Sequence, residues 1–167
     1  EILASLTAEA GAARAEAGAS LPLDDYLREI VAKWRAMRPE VSMTAQFRGT
    51  EPVPCIVSEQ TLSQAITSIL NNAADASPQS VEVNGAWSDV ELLLEIADRG
   101  PGLAPAVRAR VGASVVTTKG EGLGLGLFLA HTTLHRLGGR VALAPRAGGG
   151  TLCRLTLPLA PLRVTGP

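Results

Sequence analysis

Between Lys119 and Ala130 the chain reads KGEGLGLGLFLA, and this stretch restricts the fold more than any other. Glycine inside a helix costs about 1 kcal/mol relative to alanine. Yet Gly122, Gly124 and Gly126 run directly into the helical apolar spacing of Leu127, Ala130, Leu134 and Leu137. A helix that starts on bare backbone exposes unpaired amides and the positive end of its dipole, which suits an anion such as phosphate. The fold must therefore bring the amino end of one helix to a ligand, with the rest of the chain as its frame.

That frame is legible in blocks. Leu23, Leu27, Ile30, Val31 and Trp34 recur at helical spacing after Pro22, with Ser20 as the expected cap, Asp24 and Asp25 in the first turn, and Arg38-Pro39 as the stop. Val41, Met43, Ala45 and Phe47 alternate with polar residues as in a half-buried strand, and Cys55-Ile56-Val57 reads as a short second strand. Ser58 is the expected cap of a helix running to Ala76. On it Leu62, Ala65, Ile66, Ile69 and Ala73 form an apolar face, Gln64, Ser68, Asn71 and Asp75 a polar one, and Asn72 lies on the boundary. Val81 to Trp87 and Val90 to Ile96 read as a hairpin that ends at Asp98-Arg99-Gly100-Pro101-Gly102. Residues 103–121 form a long connection, the kind that serves as a binding loop or lid. After the glycine-led helix, closed by Gly138-Gly139, Val141 and Leu143 pair with Leu152, Leu155 and Leu157 across Gly148-Gly149-Gly150. Antiparallel strands and helices in blocks give an α+β class, a mixed and mostly antiparallel sheet covered by helices on one face. The expected domain is 21–159, preceded by residues 1–20 as the end of an upstream helix and a linker, and followed by a flexible tail at 160–167.

Composition excludes several functions. A net charge of −1 and 3% aromatic residues offer nucleic acid neither an electrostatic footprint nor stacking platforms. No apolar run approaches the roughly 20 residues that cross a bilayer, and no signal peptide is evident, so the piece reads as soluble and cytoplasmic. Cys55 and Cys153 lack any Cys-x-x-Cys spacing and read as packed thiols on strands. His131 and His135 lack a third metal ligand and read as a surface pair.

Three pieces carry chemistry together, although each alone has a plainer reading as a turn acid, turn glycines or a surface amide. Asp98 at a strand end can accept from an exocyclic amine such as adenine's, while glycines beside it allow close approach of the base. The side-chain oxygen of Asn72 is a hard ligand suited to Mg²⁺, which binds phosphates as well. The amides at Gly122, Gly124 and Gly126 can meet a triphosphate, with Lys119 as a mobile point charge. Neither Gly-x-x-x-x-Gly-Lys-Ser/Thr nor Gly-x-Gly-x-x-Gly occurs, which sets aside the P-loop and Rossmann turns.

In this order and spacing the motifs resemble those of the catalytic and ATP-binding domain of bacterial two-component sensor histidine kinases, within the superfamily that includes gyrase, Hsp90 and MutL. Ser68 to Ala76 resembles the N box, Asp98 to Gly102 the G1 box, and Gly122-Leu123-Gly124-Leu125-Gly126-Leu127 the G2 box. The resemblance covers about residues 22–158 and implies a two-layer α/β sandwich with ATP and Mg²⁺ as cofactors. It implies Mg²⁺ binding by Asn72, adenine reading by Asp98, a base pocket shaped by Gly100 and Gly102, water-mediated support from Thr151, and residues 103–121 as the ATP lid. The stretch Asn71 to Ser77 with Val115 to Lys119 resembles the redox-responsive RegB/PrrB type.

The chain departs from the family pattern in places. Val111 to Val116 stands where a phenylalanine-rich F box is common, and Asp75 where many relatives place a basic phosphate-binding residue, so that Lys119 or Arg99 would compensate. ATP-hydrolysing cousins carry a glutamate one turn before the metal-binding asparagine. Here Ser68 stands there, a poor general base, which favours phosphoryl transfer over hydrolysis. By the resemblance, the acceptor is a histidine on an upstream dimerisation domain, the phosphoryl group passes on to a response regulator, and the full-length protein is a membrane-associated homodimer. The fragment is expected to bind Mg-ATP without phosphorylating itself. A degenerate ADP- or ATP-binding interaction module and an anti-sigma-type serine kinase are the competing readings.

Overall fold

The computed structural model describes residues 20–101 and 124–163, with residues 124–127 as backbone alone. Its elements in chain order are β1 (Ser20–Pro22), α1 (Leu23–Met37), β2 (Met43–Gly49), β3 (Cys55–Val57), α2 (Gln60–Ala76), β4 (Val81–Trp87), β5 (Glu91–Asp98), α3 (Gly124–Arg136), β6 (Arg140–Pro145) and β7 (Thr151–Pro158). Five strands form one sheet in the order β2-β4-β5-β7-β6, with β2 and β4 parallel and every other pair antiparallel. β1 and β3 pair separately as a small antiparallel ribbon. The α+β architecture with a mixed sheet is the one expected.

Alternation along the strands sets the two faces. Val81, Val83, Leu92, Leu94, Ile96, Leu155 and Leu157 point into the core, while Asn84, Ala86 and Arg154 point outward. Arg154 of β7 pairs with Glu95 of β5 across the sheet, and Arg146, in the turn after β6, pairs with Glu82 of β4. α1, α2 and α3 cover the apolar face, with α2 in the middle touching both neighbours and strands β4 and β5. That central place explains why Leu70 and Ala74 are fully buried beside the apolar stripe read from the sequence. A helix flanked on both sides buries more than one stripe. Trp34, also without solvent exposure, fills the junction of α1 with α2. Each such large side chain contributes about 1.5–3 kcal/mol by burial.

Both expected helix caps are corrected. Ser20 lies in β1, and α1 starts after Pro22, whose fixed φ of −59° leads into the first turn without a side-chain hydrogen bond. α2 starts after Glu59, not Ser58, again without a side-chain cap. Glu59 instead receives Arg136 of α3 on its carboxylate and the Tyr26 hydroxyl on its carbonyl, so it ties the three helices together. The expected flexible tail is also shortened. Leu159 and Leu162 are buried, and Arg163 bridges to Ile56 of β3, because the apolar residues after Pro158 find a place under the β1-β3 ribbon. Cys153 is buried as expected, but Cys55 is exposed on the β1-β3 ribbon. Among the described residues, no helix is long and apolar enough to cross a membrane.

Candidate functional site

Asp98 is the last residue of β5 and one of two buried polar residues among the described ones. Its Oδ1 accepts two backbone N–H bonds, from Gly100 at 2.8 Å and from Thr151 at 3.2 Å. Both fall on the same oxygen. Oδ2 receives no bond from a described residue and is the acceptor left for a ligand's N–H. The buried charge also acts on its neighbour across the sheet, Cys153, whose thiol is pushed up to about 12, first by burial and second by the Asp98 charge.

Two glycines let this carboxylate sit where it does. A Cβ at Gly100 would lie 2.7 Å from the carbonyl oxygen of Ala76, so the turn after β5 touches the last residue of α2. Ala76 is one helical turn beyond Asn72, and this contact brings the aspartate turn and the asparagine helix together. Gly150 has φ of +105°, and a Cβ there would overlap the Asp98 carbonyl oxygen. In sequence, Gly148 to Gly150 reads as a hairpin turn, and Gly150-Thr151-Leu152 resembles the family's closing motif. In the structure Gly150 presses the start of β7 against the end of β5 and aims the Thr151 N–H at Asp98. Its signal in the sequence is a glycine directly before Thr151.

The paired asparagines of α2 have different surroundings. Asn71 Oδ1 accepts from the Trp34 indole N–H at 3.0 Å and from Arg38 at 3.3 Å, so its amide belongs to the α1–α2 junction. Asn72 is half-buried at the boundary read from the sequence, and its Nδ2 is buried without a hydrogen-bond partner among the described residues. An amide turned by 180° exchanges its nitrogen and oxygen at little cost. Turning Asn72 replaces an unpaired donor with an oxygen, the donor atom a hard cation takes. The orphaned amide therefore fits Mg²⁺.

Asp75, on the same helix, does not stand as an uncompensated charge. Arg38 pairs with it at 3.0 Å. Arg99, also considered as a compensating cation, has its guanidinium over the Gly148 turn. Ser68, half-buried one turn before Asn72, lines a groove of about 450 Å³ between α2 and α3 together with Thr61, Gln64, Thr67, Leu129 and Thr133. Leu129 and Thr133 of α3 therefore face the Ser68 turn. α3 itself begins at Gly124, as a glycine-led start predicts, and carries Leu125, Gly126 and Leu127 in its first turn. Gly102, Lys119, Gly122 and Leu123, with the 103–121 connection and the Val111 to Val116 segment, lie outside the described residues. His135 is exposed and His131 half-buried, with rings stacked at 5.9 Å, and no group of three metal-ligating side chains occurs among the described residues.

Among the described residues, the site thus joins a buried carboxylate with one oxygen unbonded, an unpartnered amide one turn before Ala76, the α2 residue that the Gly100 turn touches, and a helix that begins on glycine. Comparison with known proteins points the same way. The family described as histidine kinase-, DNA gyrase B-, and HSP90-like ATPase matches residues 57–161. Sensor histidine kinase RegB of Cereibacter sphaeroides is 30% identical over 139 residues, which are 75% of this chain and 30% of that protein. The chain spans under a third of that relative's length. The catalytic domain of histidine kinase ThkA superposes with a TM-score of 0.67 at 16% identity, over 86% of this chain and 96% of that one. The ATP-binding domain of PrrB from Mycobacterium tuberculosis gives 0.62 at 21% identity, over 84% and 96%. These two likenesses establish the fold.

Proposed function

Because the chain belongs to the histidine kinase-, DNA gyrase B-, and HSP90-like ATPase family, we propose that it is the ATP-binding catalytic domain of a sensor histidine kinase. In this reading it transfers the γ-phosphoryl group of ATP to a histidine on another domain, an upstream dimerisation domain, for relay to a response regulator. The observation that carries the reading is the Asp98 carboxylate, buried, with Oδ1 held by two backbone amides and Oδ2 without a bond from any described residue.

Each residue has a role in that transfer. Asp98 Oδ2 accepts the adenine amine, and because Oδ1 is held at two points the carboxylate is oriented before the base arrives. Gly100 and Gly102 allow the base to lie close to backbone, and Thr151 supports it through water. The amides of Gly122, Gly124 and Gly126, in the stretch that also carries Leu123, Leu125 and Leu127 toward the nucleotide, would receive phosphate oxygens at the amino end of α3. Lys119 supplies a mobile positive charge to the same oxygens. Asn72 would hold Mg²⁺ through its side-chain oxygen, and the ion when bound neutralises phosphate charge. In the reaction the bond between the bridging oxygen and the γ-phosphorus breaks, the histidine nitrogen bonds to phosphorus, and ADP leaves. Ser68 stands where a water-activating glutamate would, so water is not deprotonated there and transfer is favoured over hydrolysis.

The alternative of a degenerate nucleotide-binding module rests in part on Asp75 facing phosphate as a bare charge. Its pairing with Arg38 removes that motive. The two readings separate on one experiment. With γ-labelled ATP and a histidine-bearing helical domain from a relative, label appears on the helical domain as acid-labile phosphohistidine and none on this fragment. Stable label on the fragment itself, or nucleotide binding without any label on the acceptor, contradicts the kinase reading.

A further inference from the structure

The unlike surroundings of Asn71 and Asn72 originate in α1. Arg38 is the residue that ends α1, and its guanidinium reaches Asn71 Oδ1 at 3.3 Å and Asp75 Oδ1 at 3.0 Å. It also lies over the Trp34 ring, 5.9 Å from the ring centroid, while the Trp34 indole N–H bonds to the same Asn71 oxygen at 3.0 Å. Asn71 and Asp75 are one turn apart on one flank of α2, and Asn72 is on the adjoining flank. One side chain therefore holds a full turn of the helix that carries Asn72.

From these contacts we infer that Arg38 is a positioning residue for the nucleotide site, acting through Asn71 and Asp75 to set the direction of the Asn72 amide. The inference rests on the role of Asn72 proposed above. Two effects lead to it. The first is geometric. With helical side chains roughly 5–6 Å from the axis, a rotation of α2 by about 20° moves the Asn72 amide by about 2 Å. Displacements on the order of 1 Å in a positioned group are enough to cost two orders of magnitude in rate. A planar guanidinium lying over an indole and bonded at two points resists such rotation, which a flexible lysine stem does less well. The second effect is electrostatic. Asp75 is three residues from Asn72, and its charge opposes phosphate binding unless Arg38 cancels it.

A merely structural role predicts something else. Asp75 is largely exposed, and exposed ion pairs contribute little to stability. Losing Arg38 should then leave nucleotide affinity untouched, or lower it equally with and without Mg²⁺ as the fold weakens.

The test measures affinity for a fluorescent ATP analogue with and without Mg²⁺, beside a thermal melt, in the wild type, Arg38→Ala, Arg38→Lys, and the charge swap Arg38→Asp with Asp75→Arg. In Arg38→Ala the gain in affinity on adding Mg²⁺ is expected to fall at least fivefold, while Mg²⁺-free affinity falls by a smaller factor as Asp75 loses its counter-charge. Arg38→Lys restores part of that gain, and so does the charge swap. An unchanged Mg²⁺ gain in Arg38→Ala overturns the inference, as does an equal loss in both conditions together with a lowered melting temperature. A wild type that binds the analogue but gains nothing from Mg²⁺ overturns the role of Asn72 and this inference with it. A wild type that does not bind at all overturns the ATP-site reading as a whole.

Discussion

The Thr151 backbone N–H donates to the Asp98 carboxylate at 3.2 Å, although the two residues stand 53 positions apart in the chain. The bond crosses between β5 and β7, adjacent antiparallel strands whose register pairs Ala97 with Leu152. The aspartate turn and the closing hairpin are thus two halves of one feature. Oδ1 is spent on holding the carboxylate still, and the oxygen that remains is aimed by the sheet and not by a flexible loop.

Gly150 sets that geometry. With φ of +105° and the Asp98 carbonyl in the place of a Cβ, Gly150→Ala is expected to lower stability by about 2 kcal/mol or more. This corresponds to a melting temperature roughly 5 °C lower, with weaker nucleotide binding. Gly149→Ala is the control, since its φ is +110° but no described atom lies within 4 Å of its Cβ position. It should cost backbone strain alone and leave affinity unchanged. Thermal melts and nucleotide titrations of the two variants check this.

The paired asparagines should differ most in stability. Asn71→Ala leaves the Trp34 N–H without its acceptor and should cost about 1–3 kcal/mol of stability. Asn72→Ala removes a buried amide that has no partner among the described residues, so stability should change by less than about 0.5 kcal/mol. The gain in ATP affinity with Mg²⁺ should nevertheless disappear in Asn72→Ala. Urea unfolding and titration with and without Mg²⁺ separate the two effects.

Alkaline pH should destabilise the domain through two buried groups. Burial pushes the Tyr26 hydroxyl from 10.0 up to about 12, partly opposed by its Ser63 hydrogen bond, and pushes Cys153 from 9.0 up to about 12 with help from the Asp98 charge. Both pKa values are raised on folding, so the unfolded chain gives up these protons first. The stability they contribute is complete below pH 9 and is lost as pH rises to about 12, the Cys153 share from 9 and the Tyr26 share from 10. Each group adds a slope of about 1.4 kcal/mol per pH unit in its window. Cys153→Ala should flatten the first part of the decline and Tyr26→Phe the second, as measured by urea unfolding between pH 7 and 11.5.

Features carried by local pattern were legible in the sequence. The apolar stripe from Leu62 to Ala73, the boundary position of Asn72, the hairpins flanking Gly85 to Asp89 and Gly148 to Gly150, and a helix beginning among glycines all follow from spacing and turn chemistry. What pattern missed depends on distant partners. Ser20 to Pro22 is a strand only because Cys55 to Val57 lies beside it, and Leu162 is buried only because that ribbon gives it cover. The parallel pairing of β2 with β4 is set by a crossover through α2, which neither strand announces. In the candidate site, Asp98 and Asn72 were singled out by residue type and position. The grip of Arg38 was not, since an arginine before a proline reads locally as a helix end.

The central claim is that Asp98 reads the base of a bound ATP, and one comparison tests it most directly: titration of the wild type and Asp98→Asn with a fluorescent ATP analogue, followed by displacement with unlabelled ATP. Asparagine keeps an oxygen for the Gly100 and Thr151 amides, so the fold and melting temperature should persist. A charged acceptor for the base is lost, and affinity should drop by roughly 10- to 100-fold. Saturable wild-type binding that ATP displaces, with that drop in a folded variant, is the predicted result. Equal affinity in the two proteins, or no saturable binding by the wild type, would contradict the account.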